Sequence, residues 1–230
     1  MLNPNKIKGV IFDLDGVLID TEYYQWQGWV EVLKPFGIRL SKKEYFNYAG
    51  KRGDIIESEL IKNYNLKIEK GFLQKEKEKL LIEWFNSKKL KLMPYAKEAI
   101  KFFAKNNKIK LGLASGGPRD EVILKLKRTN LYSFFPVIVA GSDVKRGKPY
   151  PDIYLFTANK LDLKPKECLA LEDTQYGVES AKSAGLFCFA IPNEYSLKQD
   201  FSQADKIFKN LKEVVDFFSK PKKNGSNVGF

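Results

Sequence analysis

The chain has 230 residues, 43% of them hydrophobic and 30% charged, with a formal net charge of +12. That length supports a sizeable core in one domain or two, and the composition is too apolar for a disordered chain. It contains no histidine, which excludes Ser-His-Asp and Cys-His catalysis, zinc sites built on histidine and phosphohistidine chemistry, and leaves acid–base work to carboxylates, Lys, Tyr or Cys.

The positive charge is spread along the chain. Residues 18–93 carry 15 Lys+Arg against 11 Asp+Glu, and the remainder carries 25 against 17. The excess reads as solvated lysines, and with no reader motif beside it no nucleic-acid partner is expected. Attraction of anionic small molecules is compatible with it. No uninterrupted apolar run approaches membrane-spanning length, and the first six residues lack the apolar region of a signal peptide, so a cytoplasmic protein without a membrane partner is expected. Cys168 and Cys188 both lie in apolar, strand-like runs and read as inert core thiols. The pattern sets no oligomeric state.

In chain order, residues 7–12 form an apolar run that reads as a buried strand. It leads into Phe12-Asp13-Leu14-Asp15-Gly16-Val17-Leu18. Two carboxylates two positions apart on an extended chain project to the same side. Keeping like charges together costs free energy unless a cation or a proton offsets it. An ordinary Asp-Gly turn is the competing account, but open α/β sheets bind their ligands at the carboxyl ends of strands, and the pair sits at such an end.

Residues 18–93 read as helical. Tyr23, Trp26, Val30 and Leu33 fall at helical spacing, and Pro35 and Gly37 close that helix by about residue 36. Ser41 and Glu44 fit a capping box that opens another. Residues 54–64 and 69–85 are amphipathic. From residue 94 the pattern alternates: helix 95–106, strand 109–114, helix 119–127, strand 137–140, helix 151–161, strand 168–171, helix 176–184, strand 187–191 and helix 211–218. Strands alternating with helices of this length predict a Rossmann-like, mainly parallel α/β sheet with right-handed crossovers. The first strand belongs to that sheet, so residues 1–17 and 94–219 form the expected core and 18–93 an α-helical insertion. Residues 220–230 read as a flexible tail.

Polar residues collect at four strand ends. Asp13 and Asp15 are the first pair. Ser115-Gly116-Gly117 follows the second strand, where small residues leave backbone N–H groups open to an anion. Lys148, in Gly147-Lys148-Pro149, offers a compact cation suited to phosphate. Glu172-Asp173-Thr174 can complete a hard-cation site or cap the next helix. Each has an ordinary turn or surface explanation alone. Four together supply a nucleophile, an acid, anion donors, a cation and metal ligands.

In this order the motifs resemble the haloacid dehalogenase (HAD) superfamily: Phe12-Asp13-Leu14-Asp15-Gly16-Val17 the first, Ser115 the second, Lys148 the third, Glu172-Asp173 the fourth. The stretches from Gly147 to Tyr154 and from Leu171 to Val178 resemble the branch of beta-phosphoglucomutase and small sugar-phosphate phosphatases, and the helical insertion resembles its cap. The resemblance implies Asp13 as nucleophile and Asp15 as acid and base. It implies Ser115, Gly116 and Lys148 as phosphate binders, and Mg2+ held by Asp13, Glu172 or Asp173, and the backbone carbonyl of Asp15. Lys51 and Arg52, in Gly50-Lys51-Arg52-Gly53-Asp54, and Arg119 are implied as contacts to the substrate. The expected activity is a Mg2+-dependent phosphatase of a small phosphorylated metabolite, a sugar or polyol phosphate. Two alternatives stay open: a phosphomutase, and a binding protein without turnover. Gln25 stands where the mutase carries a hinge histidine, and Gly117-Pro118 replaces its Ser-Lys pair.

Overall fold

β1 (Gly9–Phe12) is buried at all four positions, and the rest of the sheet is laid out around it. The computed structural model describes residues 4–219; the expected tail at 220–230 lies outside them. Six strands form one sheet in the order β3-β2-β1-β4-β5-β6, with β2 (Lys110–Ser115), β3 (Val137–Ala140), β4 (Cys168–Glu172), β5 (Phe187–Ala190) and β6 (Lys206–Ile207). Every pairing is parallel. The expected α/β class is therefore the observed one. β6 was not expected: two exposed residues at the sheet edge carry no readable periodicity.

Side chains alternate across β1. Val10 and Phe12 face one apolar cluster, with α5 (Ala96–Ala104), α6 (Arg119–Arg128) and α9 (Leu211–Ser219) covering it. Ile11 faces the other, under α7 (Asp152–Lys160) and α8 (Gln175–Ser183). Phe12 is fully buried and packs edge-on against Phe103 and Phe135; burial of such a ring contributes about 1.5–3 kcal/mol. With both faces covered, the strands read as continuous apolar runs, which is why they were legible.

Between β1 and β2 the chain forms α1 (Glu22–Leu33), α2 (Lys42–Tyr45), α3 (Gly53–Asn63) and α4 (Phe72–Ser87). α1 ends earlier than its apolar spacing predicts, because Pro35 tightens residues 34–36 into a 3-10 turn. The capping box forms as expected, Ser41 Oγ accepting from the Glu44 N–H while Glu44 accepts from the Ser41 N–H, but it opens only a four-residue helix. These helices share an apolar cluster of their own, centred on Trp29, Leu33, Leu60 and Leu73, which Tyr195 joins from the sheet side. The two connections to this block run side by side: Ile19 bridges Leu92, the Asp20 N–H donates to the Lys91 carbonyl, and the Met93 N–H donates to the Leu18 carbonyl.

Candidate active site

Register brings the site together. Phe12 lies opposite Leu113 on β2 and Leu171 on β4, so the residues that follow these three emerge at one edge of the sheet. Asp13 continues β1 with its N–H on the Leu171 carbonyl at 3.0 Å. Beside it stand Glu172, the last residue of β4, and Asp173. One carboxylate oxygen from each of Asp13, Glu172 and Asp173 lies within 4.8 Å of the others, and all three residues are buried. Lys148 reaches into this group from the loop before α7. Its Nζ donates to Asp13 Oδ1 at 2.5 Å and to Glu172 Oε1 at 2.6 Å. Tyr154, on α7, also donates to Glu172 Oε1.

Lys148 pairs with two of these three buried carboxylates, Asp13 and Glu172, and Asp173 lies close to both. Burial pushes the Asp13 carboxyl up to about 7; Lys148 opposes this, and the charges of Glu172 and Asp15 add to it. Burial raises Asp173 well above the carboxylate range, with Asp13 and Glu172 contributing. Lys148 is held charged, because the two carboxylates beside it outweigh its burial. Glu172 Oε2 is buried without any hydrogen-bond partner among the described residues. An orphaned carboxylate oxygen in a cluster of acids is what a hard divalent cation ligated by oxygen relieves, so these residues fit a metal. Asp15 is outside this set of side chains.

Gly16 lets the loop after Asp15 pass close to Asp173. Its φ is +81°, and a Cβ there would fall 2.0 Å from Asp173 Oδ2. Asp173 is held on that side by Asn193 Nδ2 at 2.6 Å. Thr174 caps α8, its Oγ1 accepting from the Gly177 N–H at 3.2 Å. The capping explanation of this motif is thus correct for Thr174, which leaves the two acids before it free for the cluster.

Asp15 turns to different company. Lys125 Nζ donates to both its oxygens, at 2.6 and 2.8 Å. Thr21 Oγ1 donates to Oδ1 at 2.5 Å and Ser115 Oγ to Oδ2 at 3.3 Å. Burial works against the charged form, yet Lys125 together with these hydrogen bonds holds the Asp15 carboxyl below its ordinary value.

The sheet edge opens into a cavity of about 450 Å3 whose far wall belongs to the helical block. Gly50 seats that wall on the sheet side: its φ is +79°, and a Cβ there would meet Thr174 Cγ2 at 2.7 Å. Of the expected residues, Asp13, Lys148, Glu172 and Asp173 meet in one group, and Ser115 joins Asp15. Gly116, Lys51 and Arg52 line the cavity. Lys51 pairs with Glu59 at 2.8 Å and Arg52 with Asp54 at 3.0 Å. Arg119 requires correction. Its guanidinium is bound to both oxygens of Asp143 and to the Ile138 carbonyl, away from the cavity lining.

Sequence reasoning missed Lys125, Glu121, Thr21 and Tyr154. For the first two a signal existed. Glu121, Val122, Lys125 and Leu126 are the buried positions of α6, and their spacing puts the two charges on the apolar face. A charged pair four apart on an inward face is the exception that marks a partner.

Comparison with known proteins decides the family. A model of the haloacid dehalogenase-like hydrolases matches residues 10–191. The chain belongs to that family. It is 35% identical over 185 residues to a phosphorylated carbohydrates phosphatase of Thermotoga maritima, with 78% of this chain and 82% of the relative covered. It is 31% identical over 193 residues to a beta-phosphoglucomutase of Bacillus subtilis, with 80% and 83% covered. The crystal structure of CbbY from Rhodobacter sphaeroides in complex with phosphate superposes with a TM-score of 0.78 at 26% identity, over 90% of this chain and 96% of that one. The chain is an enzyme, of the phosphoric monoester hydrolase class within this family. No helix among the described residues is long and apolar enough to cross a membrane.

Proposed function

We propose that this hydrolase is a Mg2+-dependent phosphatase that cleaves a small phosphorylated metabolite, a sugar or polyol phosphate, through an aspartyl-phosphate on Asp13. One observation carries the reading. Two carboxylates at the end of the central strand occupy opposite environments, Asp13 in an acidic cluster beside Lys148 and Asp15 in a cradle of donors. Carboxylates set apart in this way divide into different catalytic roles.

Asp13 attacks phosphorus through a carboxylate oxygen, and the bond from phosphorus to the substrate oxygen breaks. For this step Asp15 enters protonated, with one of its donor contacts released, and gives that proton to the leaving oxygen. Water then attacks the phosphorus of the aspartyl-phosphate and passes a proton to Asp15, which releases phosphate and restores Asp13. Lys148 and Ser115, with the N–H groups of Leu14 and Gly116, bind the phosphoryl oxygens. Asp13, Glu172 or Asp173, and the Asp15 carbonyl would hold the metal, as a small hard cation accepts few protein oxygens together with water and phosphate. When bound, the metal offsets the repulsion between Asp13 and phosphate and stabilises charge on the transferring group.

Helices α1–α4 form a cap in this reading, with residues 18–93 as its extent. The cap end of the cavity carries Glu22, Gln25, Tyr45, Gln74, Lys77 and Glu78. Lys77 is 5% exposed, has no hydrogen-bond or ion-pair partner among the described residues, and lies 4.6 Å over the Trp29 ring. Donors and acceptors interleaved along this wall suit the hydroxyls of a sugar or polyol. The phosphorylated carbohydrate named for the Thermotoga maritima relative agrees with that class. Gln25 has no proton to exchange near neutral pH, so it adds no acid–base group of the kind a mutase would use to handle a second hydroxyl. A cytoplasmic place accords with the two buried free thiols, Cys168 and Cys188.

The test is hydrolysis of p-nitrophenyl phosphate and of a panel of sugar and polyol phosphates by the purified chain. Turnover with Mg2+, its loss in chelator and release of free phosphate are expected. Parent-level turnover in Asp13→Asn would overturn the mechanism, and conversion of a hexose 1-phosphate to its 6-phosphate without free phosphate would establish the mutase instead.

A further inference from the structure

Lys125 is completely buried, and its ammonium is fully engaged. A lysine has three N–H donors. Three carboxylate oxygens lie within reach: Asp15 Oδ1 at 2.6 Å, Asp15 Oδ2 at 2.8 Å and Glu121 Oε1 at 2.8 Å. Asp15 is held as completely from its own side, because Thr21 and Ser115 take one further contact on each oxygen. The four contacts come from three separated segments: the link into the helical block, the end of β2, and α6. Rotation of the Asp15 carboxylate in either direction breaks contacts to more than one of them.

Stability alone does not account for this arrangement. The inner face of α6 alternates Glu121 and Lys125 with Val122 and Leu126. Two more apolar residues there would continue the neighbouring apolar cluster, to which Val122 and Leu126 already belong. Burying an ion triad removes three charges from water, and well-packed apolar replacements of similar volume are often as stable or more so. What an apolar pair cannot do is hold a carboxylate in one orientation at the mouth of a cavity. Glu121 has the complementary part: it occupies the third lysine proton and fixes where the ammonium stands relative to Asp15. The Phe85 ring of α4 closes the remaining side, 5.4 Å from Nζ.

We propose that Lys125, braced by Glu121, is the positioning residue that aims the Asp15 carboxylate at the leaving oxygen and the incoming water. The inference rests on the reading of Asp15 as acid and base. It assigns Lys125 no contact with substrate and no proton transfer of its own. A residue that only supports the fold affects all substrates alike, whereas one that aims the proton donor affects those whose leaving group needs the proton.

The experiment uses the full chain, with Mg2+, in four forms: parent, Lys125→Met, Glu121→Leu/Lys125→Met and, as reference, Asp15→Asn. The single variant keeps the side-chain volume but leaves Glu121 buried without a partner. The double variant removes that charge as well and keeps the test decisive should the single one not fold. The single-turnover rate of leaving-group release is measured for 2,4-dinitrophenyl, p-nitrophenyl and phenyl phosphate, along with kcat and KM in the steady state. Both Lys125 variants are expected to lose about tenfold or more on phenyl phosphate and little on dinitrophenyl phosphate, approaching the steeper leaving-group dependence of Asp15→Asn. kcat falls while KM stays within about twofold of the parent. A double variant with the parent's dependence on leaving group, beside an Asp15→Asn variant that departs from it, overturns the inference and leaves the phosphatase reading standing. A parent that releases no phenol from any of the three overturns both.

Discussion

The two sides of the β1 carboxyl end are built from the same residue type and behave as opposites. On one side Asp13 shares a single ammonium with Glu172 and has Asp173 close by, and its carboxyl is pushed up to about 7 by burial against the pull of Lys148. On the other, Asp15 has Lys125, Thr21 and Ser115 to itself and is held down despite burial. Only Leu14 separates them in the chain. The contrast teaches that role is set by the donors each carboxylate finds. The first side is short of positive charge and has the oxygen ligands that could hold a metal; the second is complete without one.

The contrast can be broken most severely at its centre. Asp13→Asn is expected to lower turnover of p-nitrophenyl phosphate by about 10³-fold or more, since no other group replaces the attacking oxygen. Asp15→Asn should lose about 10²–10⁴-fold at steady state, the usual worth of a general acid or base, while still releasing a burst of nitrophenol. Equal loss of the burst in both variants would erase the division of roles.

Lys148→Met removes the ammonium that Asp13 and Glu172 share. Without metal it leaves three buried carboxylates uncompensated and should cost about 3–5 kcal/mol of stability. Mg2+ should restore part of that loss and raise the melting temperature of the variant more than that of the parent, because a ligand that binds only the folded state stabilises it. The comparison is a thermal melt in chelator and in Mg2+. A variant that melts like the parent in chelator would contradict the account of the cluster.

Glu22, which lines the cavity near Asp15, gives the smallest effect and a pH signature. Burial and the Asp15 charge raise its carboxyl from 4.5 to about 7, and Tyr45 donates to it at 3.0 Å. Between those pH values the unfolded chain has released this proton and the folded chain has kept it. Its contribution to stability is therefore full below pH 4.5, declines as pH rises to 7, and is a constant penalty above. Glu22→Gln keeps an acceptor for Tyr45 and removes the penalty. Its melting temperature should exceed the parent's by about 3 °C or more at pH 8 and match it at pH 4. An equal difference at both pH values would show that Glu22 does not titrate in this range.

Much of this was legible before any coordinates. Strands β1 to β5 stood out because both faces are covered and, apart from Lys110, Ser115 and Glu172 at strand ends, every position is apolar or glycine. Asp13, Lys148, Glu172 and Asp173 stood out because polar residues at strand ends need a reason. Lys125 and Glu121 did not, because a Glu–Lys pair four apart looks like any solvated helix pair until the flanking Val122 and Leu126 are placed inward. Arg119 failed for the opposite reason. Its place after Ser115-Gly116-Gly117-Pro118 pointed at phosphate, while its partner Asp143 comes 24 residues later and is brought beside it only by the crossover to β3.

The central claim is that Asp13 carries the phosphoryl group. It is tested most directly by acid-quenching the enzyme during turnover with Mg2+, reducing the quenched protein with borohydride and locating the modified residue by mass spectrometry. The account predicts conversion of Asp13 to homoserine, dependent on substrate and Mg2+ and absent from Asp13→Asn. Sustained turnover with Asp13 unmodified, or modification of Asp15 or Asp173 in its place, would contradict it.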